Sequence, residues 1–181
     1  VTATFILGDL CDQKDKHSSA LVNRLVDELI GLQPPVYLLM GNHDYRNPEY
    51  PFFKFLSCVE GLRFVTEPML LAEGAVLIPH QPDQASFDTA CGIIPEGARG
   101  VMLHQTIDGA LGEATGTRLT GLRASLVAQK RPLGCWAGDI HAPQRCGPVM
   151  YVGAPFQIRF GDQFTPRVLL IKGGKEQNLY F

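Results

Sequence analysis

Apolar residues fall along the chain in short runs rich in Val, Ile, Leu and Phe, each about the length of a strand. They occupy residues 3–7, 36–40, 62–65, 75–78, 101–103, 134–137, 149–152 and 168–171. Between the first two runs, Leu21, Val22, Leu25, Val26, Leu29 and Leu32 recur at helical spacing. Ser18 and Ser19 stand ahead of them and are suited to cap a helix N-terminus, so this segment reads as strand, helix, strand. A weaker helical pattern covers 119–129, and a Pro-broken loop at 47–51 precedes a short aromatic helix at 52–56. No internal repeat or low-complexity linker interrupts the series.

Polar residues sit where these runs stop. Asp9 follows ATFILG, Asn42 and His43 follow VYLLMG, His104 follows GVML, and Asp139 and His141 follow GCWAG. Four apolar strands therefore deliver polar groups to their carboxyl ends, the edge at which open α/β sheets place their sites. Singly each has a plain reading: an Asp after a strand caps or turns, Gly-Asn-His makes a tight turn, and a lone His is a hydrogen-bonded core residue. Jointly, these N and O donors, with no cysteine among them, suit a five- or six-coordinate divalent ion such as Mn, Fe or Zn better than a structural zinc.

Composition sets the outer bounds. A chain of 181 residues with 45% hydrophobic and 19% charged residues fits one globular domain and could bury roughly 70% of its unfolded surface. No apolar run approaches the roughly 18 residues of a membrane span and no signal peptide opens the chain, which points to a cytoplasmic protein with no membrane partner. The five cysteines, Cys11, Cys58, Cys91, Cys135 and Cys146, contain no C-x-x-C pair and read as free buried thiols. A net charge of -2 does not announce a nucleic-acid binder. The stretch 114–137 is nevertheless free of acids and carries Arg118, Arg123, Lys130 and Arg131, either a solvated face or a patch for a phosphate backbone. The last residues, EQNLYF, resemble a protease-tag remnant, so the domain is expected to cover 1–172, with 173–181 as a tail.

GDLCD (Gly8 to Asp12), GNHD (Gly41 to Asp44), a His after a strand (His104) and GDIH (Gly138 to His141) resemble, in order, the motifs of calcineurin-like metallophosphoesterases. The sequence GDIHAPQ followed by YVGAPFQIRFGD is most similar to the SbcD-type nuclease branch. The resemblance implies an α/β (α+β sandwich) fold, two mixed β-sheets flanked by helices, with the site at one rim. It implies two divalent ions, Mn first, with Fe, Zn or Mg as alternatives. Asp9 would bridge the two ions, Asn42 and His104 would bind the second, and His141 the first. His43 would be no ligand but would sit near the leaving oxygen and assist its protonation, with Asp44 orienting its imidazole. Two close ions can share a carboxylate, generate hydroxide at neutral pH and clamp a phosphate for in-line attack, and an imidazole can protonate the departing alkoxide.

Two departures from the family pattern stand out. The family's first motif, D-x-H, would add two ligands to the first ion, and nothing precedes ATFILGD. Asp15-Lys16-His17 carries those letters in a charged, strandless stretch and reads as loop, whereas GDIH could be that motif only in a permuted chain. An upstream strand-plus-loop unit of roughly 20 to 30 residues is therefore expected, without which one sheet position would stand open. Asp139 replaces the first His of the family's G-H-x-H. It could ligate the second ion, since in an extended segment it would share a face with His141, or it could hydrogen-bond a ligand histidine instead. Asp12 reads as a loop hydrogen-bond partner, His17 as a surface residue, and Trp136 and Phe156 as core; His80 follows a strand and could approach the site, but the prolines around it favour a turn.

The expected activity is phosphodiester hydrolysis by a metal-dependent, SbcD-like nuclease acting on DNA, with an SbcC-like coiled-coil ATPase as partner. A phosphatase or small-molecule phosphodiesterase is the alternative on the same scaffold, and a degenerate metal-binding module without activity is a third.

Overall fold

The computed structural model describes residues 3–112, 116–160 and 162–180. Ala114 at the head of the basic stretch, Gly161 of the Phe-Gly-acid ending and Phe181 of the tail lie outside the described residues. The strands are β1 (Thr4–Ile6), β2 (Val36–Leu39), β3 (Leu62–Val65), β4 (Met69–Leu70), β5 (Ala75–Ile78) and β6 (Gly100–His104). They continue as β7 (Cys135–Gly138), β8 (Gln144–Cys146), β9 (Val149–Tyr151), β10 (Arg167–Lys172) and β11 (Lys175–Tyr180). The helices are α1 (Ser19–Ile30), α2 (Gln84–Cys91) and α3 (Ser125–Lys130), with a 3-10 helix at Phe52–Cys58.

Every expected apolar run contributes a strand. α1 starts where the sequence places it, with the Ser18 hydroxyl accepting the Leu21 N–H at 3.2 Å. The helix expected over 119–129 is confined to Ser125–Lys130. Upstream of it, Leu122 bridges Ile107 and the Leu119 N–H bonds the Ala110 carbonyl at 2.7 Å. Gly121 makes this possible, since any Cβ there would lie 2.4 Å from the Thr106 carbonyl oxygen. α2 answers to no run in the pattern, yet Asp83 caps it, accepting the Ser86 N–H at 2.9 Å.

β1, β2 and β3 form a three-stranded sheet that is parallel throughout. The larger sheet, in the order β4-β5-β6-β7-β9-β8, is mixed: parallel at its centre and antiparallel at both edges. Strand alternation divides their side chains between layers. Leu38 faces α1 and the 3-10 helix, while its neighbour Leu39 joins Leu77, Met102 and Trp136 between the sheets. Val101 and Leu103 face the opposite way, onto Phe87 of α2 and Val127 of α3. The molecule is thus the expected α/β sandwich of sheets flanked by helices, differing in that the smaller sheet is all parallel. β1 pairs with β2 on one side, and no described residue pairs with it on the other.

β10 and β11 form a separate antiparallel hairpin turning at Gly173 and Gly174, so the residues set apart as a tail, as far as Tyr180, pair with 167–172. Glu176 accepts the Trp136 indole N–H at 2.9 Å. Trp136 is core as expected, at 7% exposure, whereas Phe156 is not: it is 63% exposed on a loop folded by hydrogen bonds from the Ile158 and Arg159 N–H groups to the Asp162 carboxylate. His17 is drawn off the surface by aromatic packing, its ring 4.4 Å from that of Phe52. The cysteines are free as expected, but of the five Cys91 and Cys135 are buried, Cys11 and Cys146 are half-buried and Cys58 is exposed. Among the described residues no helix is long and apolar enough to cross a membrane.

Candidate metal centre

The carboxyl ends of β1, β2, β5, β6 and β7 meet at one rim. Two hydrogen bonds bring the sheets together there: between main chains, the His80 N–H donates to the Met40 carbonyl at 2.8 Å, and from a side chain, the His104 Nδ1–H donates to the Leu7 carbonyl. Three glycines permit the approach. A Cβ on Gly8 would lie 2.3 Å from His104 Nδ1, one on Gly41 2.2 Å from Asp9 Oδ1, and one on Gly138 2.1 Å from the Leu7 carbonyl oxygen. Each would collide with a group of the site, so the motif glycines are there for space.

Asp9 and Asp139 both adopt positive φ, 54° and 80°. Left-handed backbone costs a non-glycine residue about 1 to 3 kcal/mol, least for Asp and Asn, and persists where the surroundings over-determine it. Here the surroundings are hydrogen bonds. The Asp44 carboxylate, with no exposure at all, accepts the Asp9 N–H at 2.9 Å, the Leu10 N–H at 3.0 Å and the Gly41 N–H at 2.7 Å. One buried side chain thereby ties the loop after β1 to the loop after β2. In return Asp9 Oδ1 accepts the His43 N–H at 2.8 Å.

This alters the expected role of Asp44. Both its oxygens are taken by main-chain N–H groups, and the His43 ring is oriented instead by Asp12, whose carbonyl accepts Nδ1–H at 2.7 Å. Asp12 is thus the loop partner the sequence reading expected, acting through its backbone. His43 Nε2 is left as the ring's remaining polar atom, on a side chain that is 38% exposed.

Asp9, His104 and Asp139 each place a donor atom within 4.8 Å of the other two. Asn42 joins them, its Oδ1 3.0 Å from His104 Nε2. His104 tests whether this set fits a cation. A carbonyl only accepts, so Nδ1 must carry the proton given to Leu7, and Nε2 faces Asn42 Oδ1, Asp9 Oδ2 at 3.3 Å and Asp139 Oδ1 at 3.8 Å. One nitrogen lone pair surrounded by three oxygens demands either a second proton or a positive ion. Burial alone would lower the His104 pKa, yet the hydrogen bond and charge of Asp9, with the charge of Asp139, outweigh it and push the pKa up. Burial likewise opposes the charge on Asp9, but His104 and the His43 N–H hold its carboxyl below the usual range. A fully buried imidazole pressed toward its cationic form by two carboxylates is a site a divalent cation satisfies better than a proton. Three oxygens and one nitrogen form the donor set for hard or borderline ions.

Of the other residues singled out, His141 lies in the turn after β7, where its carbonyl accepts the Ala154 N–H at 2.8 Å, and it gives no atom to the compact group. Asp15 pairs with Arg46 at 2.8 Å in the loop, away from this group. The sequence reading of the site passes over Thr106 and Tyr45, and His80, weighed there as a possible neighbour, is one. The Thr106 hydroxyl donates to Asp139 Oδ2; an extended H-x-T at a strand end, with its period of two, was the available signal. His80 turns its ring edge-on to His104 with centroids 6.2 Å apart, and its Nδ1 bonds the Tyr45 hydroxyl at 2.8 Å.

Residues 2–87 match the family model of calcineurin-like phosphoesterases. The span carries Asp9, Asn42, His43 and Asp44 and ends ahead of His104. It supports placing the chain in the metallophosphoesterase superfamily, and with the clustered donors it supports metal-dependent phosphoester hydrolysis. No curated protein matches the chain.

Proposed function

We propose that this protein is a metal-dependent phosphodiesterase, an SbcD-like DNA nuclease using two divalent ions, Mn first among them. The observation that carries the reading is the convergence of Asp9, Asn42, His104 and Asp139 around one buried nitrogen beside a histidine held ready for proton transfer. Asp9, Asn42, His104 and Asp139 would hold one ion, and Asp9 with His141 the other. The chemistry such ions supply is activation of a water molecule and neutralisation of phosphoryl charge. His43 holds its Nδ1 proton on the Asp12 carbonyl, so its Nε2 is the atom that delivers a proton to the leaving oxygen. Asp44 acts on the same step by fixing the loops that carry Asp9 and His43.

For DNA as substrate the support is the likeness of GDIHAPQ and YVGAPFQIRFGD to the nuclease branch, together with the exposed Arg118, Arg123 and Arg131. An SbcC-like ATPase as partner, in the cytoplasm, belongs to the same reading. One observation favours a small phosphoester instead: a net charge of -2 offers no long-range attraction to a polyanion. The Mn-loaded protein should be assayed on single- and double-stranded DNA, on a chromogenic phosphodiester and on a phosphomonoester, beside His43→Ala. The nuclease reading expects DNA cleavage that weakens steeply with salt and a loss of about 100-fold or more in His43→Ala with Mn binding retained. Turnover of the monoester alone would assign a phosphatase. No turnover on any substrate by a Mn-loaded protein would make this a binding module and end the enzymatic reading.

A further inference from the structure

Asp139 is the one member of the donor group whose carboxylate is steered by a hydroxyl. Its backbone is held at φ 80° and its side chain is 16% exposed, but neither fixes rotation about its side-chain bonds. The Thr106 hydroxyl does so by donating to Oδ2, which leaves Oδ1 as the oxygen facing His104 Nε2. A hydroxyl bonded to a carboxylate is a charge-assisted contact and a directional one.

Thr106 is itself held from both sides. The Tyr151 hydroxyl, on a side chain with no exposure, accepts the Ile107 N–H at 2.7 Å and donates to the Gln105 carbonyl at 2.9 Å. It thus clamps the residues immediately before and after Thr106. The Thr106 carbonyl accepts the Leu122 N–H at 2.9 Å, where Gly121 leaves room for the approach. From these contacts we infer that Thr106 is a positioning residue that sets the Asp139 carboxylate for metal binding, with Oδ2 reserved to the hydroxyl and Oδ1 presented to the ion. The inference rests on reading Asp139 as a ligand. It also gives the buried Tyr151 a function beyond packing, since that hydroxyl holds the segment that holds the ligand.

The experiment is titration of the metal-free full chain with Mn, followed by the electron paramagnetic resonance of free and bound ion and by calorimetry. The variants are Thr106→Val, Thr106→Ala, Thr106→Ser and Asp139→Ala. Removing a group that orients a ligand typically weakens metal affinity about 10- to 100-fold. That loss is expected in both Thr106→Val and Thr106→Ala while each still folds without metal, and affinity is expected to be restored in Thr106→Ser. Two hydroxyl-free variants are included because the valine methyl could disturb packing on its own account. If Asp139→Ala weakens Mn binding while Thr106→Val and Thr106→Ala do not, the role of Thr106 is overturned and Asp139 stands as a ligand. If Asp139→Ala binds Mn as the parent does, the ligand reading fails and takes the Thr106 role with it. A loss in Thr106→Ser equal to that in Thr106→Val would show that a hydroxyl at this position does not by itself set the ligand, and would also overturn the inference.

Discussion

The two ion positions that share Asp9 differ in how many donors serve them. For one, Asn42, His104 and Asp139 approach it from three further strand ends, each held by other buried or half-buried groups: Asn42 by the loop that Asp44 ties down, His104 by the Leu7 carbonyl, Asp139 by Thr106. For the other ion the family resemblance supplies His141 alone, in the turn after β7, where its carbonyl accepts the Ala154 N–H. The contrast teaches that a ligand's strength comes from what lies behind it. A carboxylate or imidazole binds tightly when its own rotation is already decided, as it is for His104 by the Leu7 carbonyl and for Asp139 by Thr106.

The largest effect should come from removing the knot common to both positions. Asp44→Ala would strand three main-chain N–H donors at the junction of the β1 and β2 loops, each costing about 1 to 3 kcal/mol when left unpaired in the interior. Water entering the vacated space would recover part of this, so a loss of about 3 to 5 kcal/mol is expected in denaturant unfolding, a large part of a typical domain's stability. Asp44→Asn, which keeps one acceptor oxygen, should lose distinctly less. Equal losses in the two variants would mean that volume, not hydrogen bonding, is what Asp44 supplies.

Next in size is the stabilisation by the ion itself. A cation that binds only the folded chain stabilises by about 2.7 kcal/mol at a free concentration of 100 times its dissociation constant. Mn should therefore raise the melting temperature, a chelator should reverse the rise, and His104→Ala should abolish it, because that substitution empties the nitrogen at the centre of the donor group. A rise that survives in His104→Ala would place the ion somewhere else.

A smaller loss is expected at the contact that brings β7 against the β1 loop. Gly138→Ala would set a methyl group 2.1 Å from the Leu7 carbonyl oxygen and 3.1 Å from His104 Nδ1, the two atoms that share the orienting hydrogen bond. Overpacking of this kind costs about 1 to 3 kcal/mol, and Mn affinity should fall with it since His104 would be turned. Wild-type affinity in a folded Gly138→Ala would dissociate the orientation of His104 from its ligand strength.

How much of this was legible in the sequence follows from the range of the interactions. The strands, the rim and the residues that end them could be read because each depends on a local run and the few letters after it. The partnership of Asp44 could not: a buried acid after GNH resembles a ring-orienting acid until the fold brings the Asp9 and Leu10 N–H groups to it from more than 30 residues away. Thr106 carries no motif letter, and the clamp that positions it comes from Tyr151, on a strand two steps across the sheet. α2 is short and amphipathic over only two turns, so its cap at Asp83 was the stronger signal and periodicity the weaker. Residue type alone suggests the core for Phe156. The Asp162 carboxylate that folds its loop outward is a side-chain effect that apolar patterning does not register.

The smallest effect, and the one that sharpens the contrast most, belongs to His141. If four donors make the tighter position, His141→Ala should leave the tighter Mn affinity nearly unchanged, because His141 gives no atom to the group of Asp9, His104 and Asp139 that Asn42 joins. Any change should fall on a second, weaker binding event, visible in the same titration as a reduced total stoichiometry. Asp139→Ala is its counterpart and should act on the tight event first. The pair thus assigns each position by which phase of the titration it moves. Should His141→Ala instead remove the tight phase, the ion would sit on the other side of Asp9, and the hydrogen-bonded group would be a scaffold for the loops rather than the principal metal site.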